Sequence, residues 1–361
     1  MKIAVVSDQH LGFGWDTERQ DDSFRNCREA FQRCQDADVI LLPGDLFDRK
    51  VPKQEVLGRA IDLFRQFEDH ENDVKVSQEG KKLSFRGIPI IAIHGTHERR
   101  SEDHVNPIQL LEKMGFLAHI HNEQLLLEKE GETVAVHGMS GVPERYAPKV
   151  LQRFDPQPIR DAYNILMLHQ SIENFVYTDK DQPALKLEHL PDRFDAIING
   201  HIHWRNLDHW QEDRPLIMPG STITTQINQI EAERPKGFLT IDTQDNQLQF
   251  HALQETREVY HREINVSGKS GSQVRQAVQH EMDDILATDH RHRPLVRIVL
   301  RGETNASISV TEIKQDYKDD ALLTIGKQTT EKQQDSSIDI DHDEATAMET
   351  GMQLLKDRIH M

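Results

Sequence analysis

Cysteine is scarce in this sequence. The chain has 361 residues and two cysteines, Cys27 and Cys34, which lie seven positions apart within a helical pattern. That spacing matches neither a zinc-binding cysteine pair nor a disulfide framework. Free thiols without a disulfide framework are typical of a reducing compartment, so we expect a cytoplasmic protein.

Long apolar runs are also lacking. Hydrophobic residues make up 36% of the chain, the mean hydropathy is −0.66, and no apolar stretch reaches the length of a membrane span. The apolar run at residues 1–6 is shorter than the core of a signal peptide and has no small-residue cleavage site. We therefore interpret it as a first β-strand and expect no membrane association.

The chain has no excess of basic residues, because its net charge is −18. Proteins that bind nucleic-acid phosphates through surface charge normally carry basic patches. Two interpretations remain open. Either the substrate is not a polyanion, or the acidic surface serves solubility, for example in a salt-rich cytoplasm, while bound metals and a local basic patch contact phosphate.

The first half of the chain alternates short apolar runs with amphipathic segments. Residues 22–35 and 54–67 have the spacing of amphipathic helices and lie between runs of the length of a buried strand. This alternation predicts an α/β fold with sheets that are at least partly buried.

Changes of pattern along the chain predict four parts. Residues 1–254 form the main domain, and 255–330 form a small α+β domain that contains a strand at 295–301. Residues 331–344 are acidic and predict a linker. At residues 345–361 the sequence predicts a C-terminal helix, which either packs on its own domain or docks a partner.

Five apolar runs of the first half end in residue types that bind metals. At the carboxyl ends of strands in an α/β sheet such residues share one edge, so we expect these five segments to converge. A single histidine is more often a surface or core residue, and the pairs His119/His121 and His290/His292 receive that interpretation. The five segments are Asp8-Gln9-His10, Gly44-Asp45-Leu46-Phe47-Asp48, His94-Gly95-Thr96-His97-Glu98, His169-Gln170 and Gly200-His201-Ile202-His203.

This mixture of ligands suits a particular chemistry. Imidazole and carboxylate together bind borderline divalent metals such as manganese, iron or zinc. Two such ions, bridged by one carboxylate, activate water and stabilise an in-line displacement at phosphorus. A histidine beside the metals can protonate the leaving oxygen. Glycines at 44, 95 and 200 would let the backbone turn sharply beside the ions.

The ordered series over residues 8–203 resembles the calcineurin-like metallophosphoesterase superfamily. Finer details resemble the SbcD/Mre-eleven DNA-repair nucleases, and we expect an archaeal member of that family. The resemblance implies a metallophosphoesterase β-sandwich flanked by helices, followed by a small α+β capping domain. The details are Asp8-Gln9-His10-Leu11-Gly12, Gly44-Asp45-Leu46-Phe47-Asp48, Leu168-His169-Gln170, Pro219-Gly220-Ser221-Thr222, Lys236-Gly237-Phe238 and Arg293-Pro294-Leu295-Val296-Arg297-Ile298.

The resemblance also implies a role for each matching residue. Two manganese ions per subunit are expected, with Mg²⁺, Fe²⁺ or Zn²⁺ as alternatives. One ion would be held by Asp8, His10 and His203, the other by His169 and His201, and Asp45 would bridge both. His97 would be the catalytic histidine that protonates the leaving group or steadies the phosphate.

Position 96 departs from the family pattern. The family has asparagine there as a ligand of the second metal, whereas this chain has Thr96. A hydroxyl is a shorter and weaker ligand than an amide carbonyl, so we expect a weaker second metal. Arg99 and Arg100 follow this loop directly and are candidates for contact with phosphate or DNA.

The resemblance implies a manganese-dependent nuclease of double-strand-break repair, with 3′-to-5′ exonuclease and single-strand endonuclease activity. Its expected partners are double-stranded DNA ends and single strands, a Rad-fifty/SbcC-type ATPase docked on 345–361, and a second copy of the chain. We expect it to be cytoplasmic and associated with the nucleoid. Two alternatives stay open: a phosphatase or cyclic-nucleotide phosphodiesterase on the same scaffold, and a non-catalytic scaffold for DNA or an ATPase.

Overall fold

The computed structural model describes residues 1–101, 103–176, 183–211, 214–304 and 307–330. The predicted linker at 331–344 and the predicted helix at 345–361 lie outside the described residues. None of the helices in the described part of the chain is long and apolar enough to cross a membrane.

The described part of the chain has strands throughout, with helices between some of them. The strands are β1 (Lys2–Val5), β2 (Val39–Pro43), β3 (Lys75–Gln78), β4 (Lys81–Leu83), β5 (Ile90–Ile93), β6 (Ala118–His119), β7 (Glu123–Lys129), β8 (Glu132–Met139), β9 (Tyr163–Leu168), β10 (Ala196–Asn199), β11 (Asn206–Gln211), β12 (Arg214–Met218), β13 (Gly237–Asp242), β14 (Gln247–Ala252), β15 (Val259–Asn265), β16 (Leu295–Glu303) and β17 (Leu322–Thr330). The helices are α1 (Asp22–Arg33), α2 (Gln54–Arg65), α3 (Pro107–Lys113), α4 (Ala147–Phe154), α5 (Gln229–Glu233), α6 (Gly271–Leu286) and α7 (Val310–Asp316).

Two sheets pack face to face in the first part of the chain. The first sheet has the order β14-β13-β1-β2-β5-β6, and the second has the order β11-β12-β10-β9-β8-β7-β3-β4. Within each sheet the central strands are parallel, as in the pairs β1–β2 and β9–β10. This is the predicted metallophosphoesterase sandwich, and the predicted α/β class is confirmed.

Alternating side chains of β1 and β2 face opposite layers. Ile3 and Val39 point towards the second sheet, whereas Ala4 and Ile40 pack with Phe24 of α1 and other helix residues. Both faces of the sheet are therefore buried, which explains why these strands are continuously apolar instead of alternating.

A third sheet lies beyond residue 258. It has the order β15-β16-β17, and all of its strands run parallel, with α6 and α7 in the connections. Its core includes Val274 and Val278 of α6 against Val296 and Ile298 of β16. This part therefore has its own apolar core.

Candidate metal centre

The loops after β1 and β2 carry the first ligands and are held together by backbone hydrogen bonds. Asp8 N donates to Gly44 O at 3.2 Å, and His10 N donates to Asp45 O at 3.0 Å. Asp8, His10 and Asp45 have positive φ angles of 50°, 46° and 50°. Such angles are uncommon for residues with a side chain and cluster at functional sites, where the surrounding structure enforces them.

The second sheet supplies the remaining histidines. His169 follows β9, and His201 and His203 follow β10. His169 Nδ1 lies 2.8 Å from the carbonyl oxygen of Pro43, and the backbone N–H of His201 donates to Asp8 Oδ1 at 3.1 Å. The predicted ligands therefore converge, but at facing edges of two sheets and not at the single sheet edge expected from the sequence.

One ligand group consists of Asp8, His10 and His203. Their ligand atoms all lie within 4.8 Å of one another, and all three residues are buried. His10 Nε2 and His203 Nε2 are 3.0 Å apart, and His203 Nε2 is 3.8 Å from Asp8 Oδ1. Two ring nitrogens and a carboxylate oxygen therefore surround one point.

The second ligand group consists of Asp45, His169 and His201. His169 Nε2 lies 3.1 Å from Asp45 Oδ2, and the Thr96 hydroxyl donates to the same oxygen at 3.4 Å. Thr96 therefore lies beside this group, where its hydroxyl is placed to interact with whatever the group binds.

His97 lies at the open side of the site. Its side chain is 44% exposed, and its ring packs edge-on against His10 with centroids 4.8 Å apart. His97 Nδ1 is 2.8 Å from the backbone oxygen of Asp48, and its backbone N–H donates to Asp45 Oδ1 at 2.9 Å. The loop of His97 is thus fixed to the β2 loop, while its ring stays accessible to a ligand from solvent.

Asp48 and Glu98 have structural roles that the motif alone did not assign. Asp48 Oδ1 lies 3.6 Å from His10 Nδ1, and Asp48 forms a further candidate ligand group with His10 and His97. Glu98 is fully buried and accepts from the backbone N–H groups of Phe47 and Gly95 at 2.7 and 2.8 Å. Glu98 therefore joins the loops that carry Asp45 and His97. In the sequence, the only signal for this role is its position next to His97.

The three glycines of the motifs are needed mainly for space. A Cβ atom on Gly44 or Gly200 would overlap the His169 ring, and one on Gly95 would overlap the Asp45 carboxylate. Of the three, only Gly44 has a positive φ, 97°. The expectation of sharp turns therefore holds for Gly44, whereas Gly95 and Gly200 admit ligand side chains against the backbone.

Arg99 and Arg100 are half-buried behind the His97 loop. Arg100 Nη1 donates to the carbonyl oxygen of Val105 at 3.1 Å. Arg99 Nη1 is buried and has no hydrogen-bond partner among the described residues. Of the two, Arg99 retains more capacity to bind an anion.

Burial and neighbouring charge act against each other in the second ligand group. Burial would raise the pKa of Asp45, but the imidazoles of His169, His10 and His97 together outweigh it and hold that pKa far below its usual range. Burial would lower the pKa of His169, yet the Asp45 carboxylate raises it to about 9. Burial and His169 lower the pKa of His201 to about 4, so the His201 imidazole is neutral at pH 7, the form in which histidine can bind a metal.

For Asp8 and His203 of the first ligand group, burial dominates. It raises the pKa of Asp8 to about 6 and lowers the pKa of His203 well below its usual value. A nearby cation favours the ionised form of a buried carboxyl and the neutral form of a buried imidazole. A carboxylate that binds a metal is ionised, which is the state that burial disfavours for Asp8. An imidazole that binds a metal is neutral, which is the state that burial favours for His203.

The residues fit divalent metal binding. In the described part of the chain Asp8 and Asp45 are buried without a lysine or arginine as ion-pair partner, and buried His169 Nε2 faces Asp45 Oδ2 at 3.1 Å without the geometry of a hydrogen bond. Buried carboxylates require a compensating positive charge. Mixed nitrogen and oxygen donors are those that manganese, iron and zinc accept.

Comparison with known proteins identifies the family. The profile described as "Calcineurin-like phosphoesterase" matches residues 1–205. The chain belongs to this family. The predicted family resemblance is thereby confirmed, and the matched segment contains every proposed metal ligand.

Individual relatives of this phosphoesterase carry names from DNA repair. Over 330 residues the chain is 25% identical to "DNA double-strand break repair protein Mre11" of Methanopyrus kandleri, covering 85% of this chain and 66% of the relative. Over 336 residues it is 28% identical to the protein of that name in Thermoplasma acidophilum, covering 88% and 81%. Over 258 residues it is 30% identical to "Double-strand break repair protein MRE11" of Encephalitozoon cuniculi, covering 65% and 44%.

These matches extend beyond the phosphoesterase domain. The chain spans between 44% and 66% of the length of the first curated relatives that it matches. The resemblance to the SbcD/Mre-eleven nucleases predicted from the motifs is confirmed by these relatives.

Proposed function

We propose that this phosphoesterase is a manganese-dependent nuclease that hydrolyses DNA phosphodiesters during double-strand-break repair. The observation that carries the proposal is the convergence of two ligand groups, Asp8-His10-His203 and Asp45-His169-His201, beside an exposed histidine. Relatives named for double-strand-break repair support DNA as the substrate. We further propose 3′-to-5′ exonuclease and single-strand endonuclease activity.

The roles follow from these positions. Asp8, His10 and His203 would hold one divalent ion, His169 and His201 the other, and Asp45 would contact both. When bound, two such ions activate water and stabilise the charge that develops at phosphorus. Thr96 would contribute its hydroxyl on the side of the second ion, directly or through water.

His97 would act on the substrate from the open side of the site. Its Nδ1–H donates to the Asp48 carbonyl oxygen at 2.8 Å, which orients the ring; in the imidazolium form the second N–H, at Nε2, would give its proton to the departing sugar oxygen and leave a neutral ring. The tautomer is inferred from that carbonyl partner, because a carbonyl can only accept. Arg99, with its unpartnered Nη1, would contact phosphate, and Arg100 would support the same loop.

A basic cleft beside the metal centre supports a polyanionic substrate despite the net charge of −18. The cleft has a volume of about 530 Å³ and is lined by Arg19, Arg297, Arg301 and Thr225, among others. Thr225 Oγ1 lies 2.7 Å from His203 Nδ1, so the cleft begins at the first ligand group. Local charge, and not the charge of the whole surface, would attract the phosphates.

The proposal includes the domain organisation and the partners. Residues 1–254 would form the nuclease domain and 255–330 the capping domain, with 331–344 as a linker. Residues 345–361 would dock a Rad-fifty/SbcC-type ATPase, and the active form would be a homodimer. We propose a place in the cytoplasm, in association with the nucleoid.

The test is cleavage of end-labelled double-stranded DNA with added manganese, beside hydrolysis of a simple aryl phosphate, over a range of salt concentrations. His97→Ala serves as the inactive variant. We expect stepwise shortening of the DNA that is lost in His97→Ala. Turnover of the aryl phosphate without DNA cleavage would instead indicate another phosphoesterase activity, and metal binding without turnover of either substrate would indicate a scaffold.

A further inference from the structure

Lys236 is a buried lysine that lies behind the first ligand group. Its residue is 5% exposed, and it immediately precedes β13. Its ammonium donates to Glu231 Oε2 at 2.7 Å, to Ser221 Oγ at 3.0 Å and to the backbone oxygen of His203 at 2.8 Å. All three of its N–H groups are therefore used, and they connect α5, the loop after β12 and the loop after β10.

The backbone carbonyl of His203 is the point where these bonds meet. Besides Lys236, it accepts from the backbone N–H of Ser221 at 3.1 Å, and Ser221 Oγ lies 3.2 Å from it. Charge-assisted bonds to a buried acceptor are stronger than neutral ones. The main chain of His203 is consequently held by Lys236 and Ser221.

The ring of His203 is oriented by a second set of contacts. Its Nδ1 lies 2.7 Å from Thr225 Oγ1 and 3.9 Å from Glu231 Oε1, while its Nε2 faces His10 Nε2 at 3.0 Å. Histidines that bind metals usually donate their second ring N–H to an oxygen, which sets the tautomer and the ring angle. Thr225 and Glu231 stand where those acceptors are needed.

The burial of the Glu231 carboxylate costs free energy, which points to a role in addition to its ion pair with Lys236. It is 2% exposed, Oε2 pairs with Lys236, and Oε1 has no hydrogen-bond partner among the described residues. A buried ion pair is on average no more stabilising than a well-packed apolar pair. The unpartnered oxygen is the one directed at Nδ1 of His203.

We propose that Lys236, Glu231 and Thr225 are positioning residues for His203 as a metal ligand. Lys236 fixes the main chain, Thr225 accepts the Nδ1–H, and the Glu231 carboxylate stabilises that N–H dipole, so that the lone pair of Nε2 points at the ion. The inference rests on the proposed metal centre. It predicts that all three residues affect the affinity of the first ligand group and leave the second group unchanged.

The first test uses Thr225, because its variants disturb packing least. Manganese binding is measured by calorimetry without DNA for the native protein, Thr225→Val and Thr225→Ser. Thr225→Val should weaken one of the two manganese sites about 10- to 100-fold, the range typical for loss of such a partner, and Thr225→Ser should restore it. Equal affinities in all three proteins would overturn the role of Thr225.

The second test uses the ion pair. Glu231→Gln keeps an acceptor for Lys236 but removes the charge, and Glu231→Gln combined with Lys236→Met leaves no unpaired buried charge. Both proteins should lose affinity at the same single site as Thr225→Val. A lowered melting temperature with both manganese affinities unchanged would show a merely structural pair and overturn the proposal.

These measurements separate this inference from the proposed nuclease activity. Native protein that binds manganese but does not cleave DNA would refute the activity and leave the positioning roles testable. Native protein that binds no manganese would refute both.

Discussion

The Thr96 hydroxyl lies 3.4 Å from Asp45 Oδ2, the same oxygen that lies 3.1 Å from His169 Nε2. The side chain that departs from the family pattern is therefore still beside the second ligand group. Because a threonine side chain is shorter than that of asparagine, its oxygen stays close to Asp45 and reaches less far towards a bound ion.

Thr96→Asn should strengthen the second metal site. An amide carbonyl reaches further and is a better ligand than a hydroxyl, so half-maximal activity should require about 10-fold less manganese, which corresponds to about 1.4 kcal/mol of binding free energy. The measurement is a manganese titration of DNA cleavage, with Thr96→Val as the matched variant that removes the oxygen. Identical titration curves for the native protein and Thr96→Asn would refute this account of position 96.

Glu98→Gln should loosen the loops that carry Asp45 and His97. Both Glu98 oxygens accept backbone N–H groups, and the glutamine would turn an NH₂ group towards one of these donors. Leaving a buried donor unpaired costs about 1–3 kcal/mol. Chemical denaturation should show that loss. Glu128→Gln, at an exposed position of β7, should behave like the native protein. Equal stability of all three proteins would contradict the role of Glu98.

Gly200→Ala should damage the metal centre although it adds a single methyl group. The new Cβ would overlap the Pro43 carbonyl oxygen and approach His169 Nδ1 at 2.7 Å, so the hydrogen bond between them would be displaced. Gly58→Ala is the control, because a Cβ there meets nothing within 4 Å and lies in α2. Gly58→Ala should stabilise the fold by about 0.5–1 kcal/mol.

The two glycine variants are compared by thermal unfolding and by calorimetric manganese binding. Native-like manganese affinity in Gly200→Ala would show that the close approach of these loops is not required.

His137 should make the free energy of unfolding depend on pH below neutrality. It is fully buried on β8, its ring lies 5.0 Å from that of Phe194, and burial lowers its pKa from 6.5 to about 4. The folded protein keeps His137 neutral, whereas the unfolded chain protonates it below pH 6.5. The stabilisation is thus complete above pH 6.5 and is lost as the pH falls towards 4, by about 3 kcal/mol.

Denaturation of the native protein and of His137→Gln between pH 6.5 and 4.5 measures this contribution. The variant should lose less stability over that window, because one proton fewer is taken up on unfolding. Parallel pH profiles would show that His137 is protonated equally in both states.

The candidate ligand segments could be located from the sequence because each follows a short apolar strand. The segments at Asp8, Asp45 and His169 combine a strand signal and a ligand signal within a few residues, and both are local. Helices α1 and α2 were predicted at 22–35 and 54–67 and begin at Asp22 and Gln54, since their apolar periodicity is strong.

The partition of the strands between two sheets could not be predicted. β1, β2 and β5 belong to one sheet and β9 and β10 to the other, but all five have the same apolar character, because both sheets are buried on both faces. Residues 69–86 are rich in charge, yet β3 and β4 lie within them and extend the second sheet through β7. These strands lie at a sheet edge, where exposed residues weaken the apolar pattern.

The residues that support the site could not be predicted from the sequence either. Lys236 and Glu231 are five positions apart and lie far in sequence from His203, and their contacts depend on the packing of α5 against separate loops. A sequence pattern shows neither that a lysine is buried nor which carbonyl it meets.

The number of bound manganese ions tests the central claim most directly. Equilibrium dialysis with electron paramagnetic resonance should find two Mn²⁺ per chain with the spectrum of an exchange-coupled pair, because Asp45 is proposed to contact both. Asp45→Asn should abolish the coupling and weaken both sites. One ion per chain in the native protein, or two ions without coupling, would contradict a metal pair bridged by Asp45.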